Sequence, residues 1–133
     1  MNVKIAIAAA VLMPSMALGQ EIRTTDVREV CSTPTSEVRV NDYGRRTRIY
    51  QKYGIVDHRG YVIDHIISLG LGGADAEANM IPQEKHESYL KDRVEGELYR
   101  RVCWHHTLSL PDAQRMVADW KNSYKTLFGV DPQ

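Results

Sequence analysis

Two adjacent residues carry most of the chemical interest of this chain: Asp64 and His65, followed by Gly70, Gly72, Gly73, Asn79 and His86. Hydrolysis of a phosphodiester needs a base to activate water, a cation to offset charge on the phosphate, and something to hold the base in the right tautomer. A histidine with a carboxylate beside it and an asparagine nearby meets those needs. A carboxylate with one more histidine can hold a divalent ion and leave positions open on it. The same residues carry a constraint. Neighbours on a strand face opposite ways, so Asp64 and His65 serve one site only where the strand ends or bends. A second pair, Asp57-His58, is followed by no glycine loop and asparagine at comparable distances, and reads as a solvated turn.

The elements around the pair follow from local patterning. Residues 41–53 are polar and basic (Arg45, Arg46, Arg48, Lys52), with Ile49, Tyr50 and Tyr53 on one face, and predict a short helix closed at Gly54. The basic cluster is either a phosphate-binding face or a solvated one, and its density in a neutral chain favours binding. Residues 61–67 are rich in β-branched side chains and suit a strand. The three glycines make a loop, and residues 79–82 a second extended piece. From Glu84 the period becomes helical, with Leu90, Val94, Leu98 and Val102 in one apolar stripe. Glu87-Lys91 and Arg93-Glu97 sit four apart as exposed pairs on that helix. Lys91, Asp92 and Glu95 are also available to tie the helix to the core. Asn79 has two readings, a catalytic partner or a loop cap. A last helix runs from a Ser109 cap to Gly129, with Ala113, Met116, Val117, Trp120, Tyr124 and Leu127 on its inner side.

The chain has 133 residues, 43% hydrophobic and 26% charged, an ordinary balance for one globular domain. Seventeen basic residues cancel seventeen acidic ones, which argues against a protein that coats nucleic acid but not against one that grips a few phosphates. Lys4, an apolar run over residues 5–13 and Ala17-Leu18-Gly19 have the layout of a secretory signal, with cleavage before Gln20. Cys31 and Cys103 are the only cysteines; in an oxidising compartment such a pair forms a disulfide, and neither lies in a Cys-x-x-Cys metal arrangement. The expected organisation is a signal over residues 1–19, an extended arm over 20–40 anchored by Cys31, and a single α+β domain over 41–133. The mature protein is expected in the periplasm or secreted, with no membrane segment.

Taken in order, Asp64-His65-Ile66-Ile67-x-Leu69, Gly72-Gly73 and Asn79-x-x-Pro82-Gln83 resemble the core of the His-Asn-His (HNH) endonucleases. The chain is similar, more closely, to a group of small bacterial proteins of that type through Tyr53-Gly54, Lys91-Asp92-x-x-Glu95, Val102-Cys103 and Ala113-Gln114, Trp120 and Tyr124. The resemblance covers most of residues 44–128. It implies a ββα-metal core, a hairpin plus helix, with a short helix before it and a packing helix after it. It implies His65 as general base, Asp64 as metal ligand, Asn79 orienting His65 or bracing the hairpin, and His86 as the second metal ligand. The implied cofactor is one divalent ion, magnesium or a similar hard cation, and the implied partner is nucleic acid, with DNA ranked ahead of RNA. The paired cysteine knuckles that many members use for zinc are missing. Two rivals stand beside this reading: a non-catalytic binding module on the same scaffold, and a different metallohydrolase, against which the lack of a His-Glu-x-x-His helix counts.

Overall fold

The computed structural model describes residues 21–133, so the signal expected over residues 1–19 lies outside the described residues. The segment expected to be an extended arm is instead partly helical. Asp26 caps helix α1 (Val27–Ser32) by accepting from the Arg28 amide at 2.9 Å, and Val30 on that helix is buried in the core. A short helix α2 (Thr35–Val38) follows Pro34. The Thr, Ser and Pro composition of this segment suggested irregular chain. The aspartate cap and the burial of Val30 override that local tendency.

Helix α3 (Arg45–Lys52) buries Ile49 and Tyr50, and the chain leaves it through Gly54 at φ 68°. Strand β1 (Tyr61–His65) then pairs antiparallel with β2 (Met80–Glu84), with Tyr61 opposite Glu84 and His65 opposite Met80. Helix α4 (Lys85–Tyr99) begins directly after β2 and packs on both strands. It starts beside the Tyr61 end of the hairpin and runs back toward the His65 end. Residues more than one helical turn along it are therefore the ones that reach Asp64 and His65. A π-helical turn (Arg100–Trp104) prolongs α4, so the apolar stripe of Leu90, Val94, Leu98 and Val102 stays on the core side throughout.

Ser109 caps α5 (Leu110–Ala118), its hydroxyl accepting from the Asp112 amide. The single last helix expected from periodicity is broken at Asp119, and α6 (Trp120–Phe128) follows, ending at Gly129 with φ 74°. Polar side chains cause the break. Asn122 donates to the Asp119 carboxylate, and the Ser123 hydroxyl donates to the Met116 carbonyl at 2.7 Å, satisfying that carbonyl from outside the helical ladder. Ala113, Val117, Trp120 and Tyr124 still face inward, joining Val30, Ile67, Leu71, Val94, Leu98, Val102 and Leu110 in one core. The described chain is thus a mixed α+β fold. None of its described helices is long and apolar enough to cross a membrane.

Cys31 and Cys103 form a disulfide that ties α1 to the π turn across 72 residues of sequence. Cross-linking a loop of that length restricts the unfolded chain by ~4 kcal/mol. The double variant Cys31→Ser/Cys103→Ser should unfold at lower urea, with ~2–5 kcal/mol less stability. An unchanged urea midpoint would remove the disulfide from the account of what holds α1 in place.

Candidate active site

The loop between the strands is built around Asn79, whose side chain is fully buried at 0% exposure. Its Oδ1 accepts from the Ile67 amide at 2.9 Å, and its Nδ2 donates to the carbonyls of Ile67 at 2.8 Å and Ala74 at 2.9 Å. Of its expected roles, bracing the hairpin is the one with contacts; none of its hydrogen bonds goes to His65. The glycines divide the remaining work. Gly72 holds φ 84°, a left-handed conformation that favours glycine. Gly73 is needed for space instead, because a Cβ there would lie 1.8 Å from the Ile67 carbonyl oxygen. Gly70 has ordinary room around it.

This folded-back loop carries Asp75 to His65. The His65 Nε2 lies 2.8 Å from Asp75 Oδ1, and the Asp75 side chain is only 2% exposed. Asp75 also binds the Arg45 guanidinium at 3.2 Å and accepts from the Val40 amide. Burial pushes the Asp75 carboxyl up, but the Val40 amide, His65 and Arg45 together outweigh it and hold the group below its ordinary value. An ionised carboxylate only accepts, so Nε2 carries the imidazole hydrogen and Nδ1 keeps a free lone pair. Burial lowers the pKa of His65 below its ordinary 6.5, outweighing the opposing pull of Asp75 and Asp64, and Arg39 adds to the lowering. The imidazole is therefore neutral near pH 7. Sequence reasoning missed Asp75, which sits in a polar run after the glycines. The available signal was an acid two residues past Gly73, on a loop that had to double back.

Asp64 and His65 do line one cavity, of about 480 Å³, because β1 ends at His65. The Asp64 Oδ1 accepts from the His65 amide at 2.8 Å, which turns its carboxylate around the strand end. Helix α4 supplies the facing wall through Asp92 and Glu95, and the Ser68 hydroxyl, buried and without a partner among the described residues, borders the same space. Burial raises the Glu95 carboxyl despite the pull of Lys91, and raises Asp92 with help from Asp64. A second cavity of about 290 Å³, bordered by Arg39, Arg45 and Arg46, shares Arg39 and His65 with the lining of the first.

Lys91 is not the exposed partner of Glu87. It is buried, 2% exposed, and donates to the His65 carbonyl at 2.6 Å and Glu95 Oε1 at 2.5 Å, with Asp64 Oδ2 at 3.4 Å. Glu87 pairs with Lys121, and Glu97 with Arg100 and Arg101 rather than Arg93. The tie from helix to core expected of Lys91 and Glu95 is present.

His86 is not brought to Asp64. It lies at the start of α4, where its Nε2 is 2.5 Å from the Gln133 carbonyl, beside Glu87 and Trp120. The hairpin register is the reason: α4 begins at the Tyr61 end, so its first turn faces away from the His65 end. Among the described residues, no group of three or more His, Cys, Asp or Glu is arranged to hold a metal ion. The basic cluster on α3 is partly committed, Arg45 to Asp75 and Arg48 to Asp42 and Glu77. Arg46 lies over the Tyr50 ring, and Arg39 makes no ion pair among the described residues. Asp57 pairs with Arg59 while His58 stacks on Tyr50 at 3.9 Å, which leaves that second Asp-His pair outside the site.

Comparison with known protein families, curated proteins and solved structures gives no match for this chain. The functional reading rests on its own residues. Replacing Asn79 by Ala removes three buried hydrogen bonds and strands the Ile67 and Ala74 backbone groups, so stability should fall by ~3 kcal/mol or more. Denaturant unfolding of Asn79→Ala, with near-ultraviolet circular dichroism to show that it folds, measures this; a loss under ~1 kcal/mol would mean that the loop holds itself closed without the carboxamide.

Proposed function

We propose that the protein is a nucleic-acid phosphodiester hydrolase acting outside the cytoplasm, with His65 as its general base. The observation that carries this reading is the buried His65–Asp75 pair, whose unprotonated Nδ1 belongs to a ring that lines two cavities. The β1–β2–α4 order around it fits the ββα scaffold that the sequence resembles. The expected signal and the disulfide support an oxidising location.

The divalent ion expected on Asp64 and His86 does not fit these residues. His86 is engaged at the opposite end of the hairpin, and Asp64 Oδ2 already faces the Lys91 ammonium. The mechanism is therefore assigned to side chains. Asp75 fixes the tautomer of His65, and Nδ1 takes a proton from water as its oxygen attacks phosphorus in line with the departing sugar oxygen. The bond from phosphorus to that oxygen breaks, the departing oxygen takes a proton from solvent water on its own side of the phosphorus, and His65 returns its proton to solvent. Arg39, uncommitted and adjacent, offsets charge on the phosphoryl oxygens.

One observation favours a second reading. With a lysine against Asp64, the scaffold could bind nucleic acid without cutting it. The mature protein incubated with plasmid, single-stranded DNA and RNA separates the two: cleavage products support the hydrolase, and saturable binding with intact substrate supports the module. If the hydrolase holds, His65→Ala should lose ~10²–10⁴-fold in turnover and stay folded, while His86→Ala should keep near-full activity. Turnover should rise with pH, because only neutral His65 accepts a proton. The midpoint of that rise should lie below 6.5, the direction in which burial moves the imidazole. Full activity in His65→Ala, or a midpoint above 6.5, would take the base role away from His65.

A further inference from the structure

We infer that Lys91 is the resident cation of this site, its ammonium taking the place among Asp64, Glu95 and the His65 carbonyl that a divalent ion would otherwise occupy. A buried charge is costly unless its partners satisfy it, and an ammonium has three hydrogens to place. Lys91 has three oxygen partners: the His65 carbonyl at 2.6 Å, Glu95 Oε1 at 2.5 Å and Asp64 Oδ2 at 3.4 Å. Two are carboxylates and one is a backbone carbonyl, the oxygen chemistry that hard cations also select. The lysine reaches them from α4, the element from which the resemblance expected the second metal ligand. A cation is thus delivered from the helix where a ligand for one was expected.

Its consequence is electrostatic. With Asp92 also on the cavity wall, the site holds three carboxylates from Asp64, Asp92 and Glu95. Lys91 offsets part of that charge from within the wall, and Arg39 is left to face an anionic phosphate. Lys91 touches no reacting atom in this arrangement; it is a positioning residue. It holds Asp64 against the strand end and, through the carbonyl, the backbone of His65.

Only the approach of a phosphate rests on the proposed function; the placement of Lys91 does not, and its test needs no turnover. Calorimetric titration of the wild-type protein with Mg²⁺ and Mn²⁺ should show no saturable binding that depends on Asp64. Lys91→Ala leaves the same oxygens without their cation and should gain one divalent-ion site, with a Kd of about 1 mM or tighter. That site should disappear in Lys91→Ala/Asp64→Asn. Lys91→Gln, one atom shorter and uncharged but still filling most of the lysine's space, stands in if the alanine variant does not fold. Wild-type binding that Asp64→Asn abolishes would overturn the inference, as would a folded, uncharged Lys91 variant that gains no ion. Either result can occur whether or not the protein cuts nucleic acid, so failure here is separate from failure of the hydrolase reading.

Discussion

The carboxamide of Asn79 closes the loop that carries the site, and the other features depend on that closure. Its oxygen and nitrogen bind the amide and carbonyl of Ile67 on one side and the Ala74 carbonyl on the other, with no exposure to solvent. Those bonds end the strand just past His65, so Asp64 and His65 can border one cavity. They also fix the chain direction after Gly73, which brings Asp75 back under the imidazole. Gly73 belongs to the same constraint, since the close approach of the Ile67 carbonyl leaves no room for a side chain.

Around that loop the charges are sorted into two buried groups. On one side Asp75 is held by His65, Arg45 and the Val40 amide, which keeps it ionised and keeps the imidazole oriented. On the other, Asp64 and Glu95 share the Lys91 ammonium. A chain with no net charge can thus present a locally uneven surface. Arg39 and Arg46 make no ion pair among the described residues and border the cavity at His65, so unpaired positive charge lies beside the imidazole.

Much of the frame was legible beforehand because local rules govern it. The stripe from Leu90 to Val102, the Ser109 cap and the stop at Gly129 depend on near neighbours in sequence and stand where their patterns placed them, while the strand expected over residues 61–67 forms but stops at His65. The local rules failed where polar side chains compete with backbone. Asp26 nucleates a helix in a stretch that reads as irregular, and Asp119, Asn122 and Ser123 interrupt one that reads as continuous. The pairing of charges on α4 failed for another reason. Spacing of four residues says which side chains are neighbours, not which face the core buries, and Lys91 is on the buried face.

For the site itself, the sequence determined the chemical types: a histidine beside a carboxylate, glycines at a tight turn, and an asparagine able to bind both an amide and a carbonyl. It also determined the cysteine pair. Only the tertiary structure decided which groups meet. Asp75 reaches His65 through a doubled-back loop, and His86 is carried away by the register of a hairpin whose far end launches α4. Contacts of that kind depend on the direction of the chain across ten or more residues. Residue types and spacing alone leave that direction open. The buried hydrogen bonds of Asn79 select it.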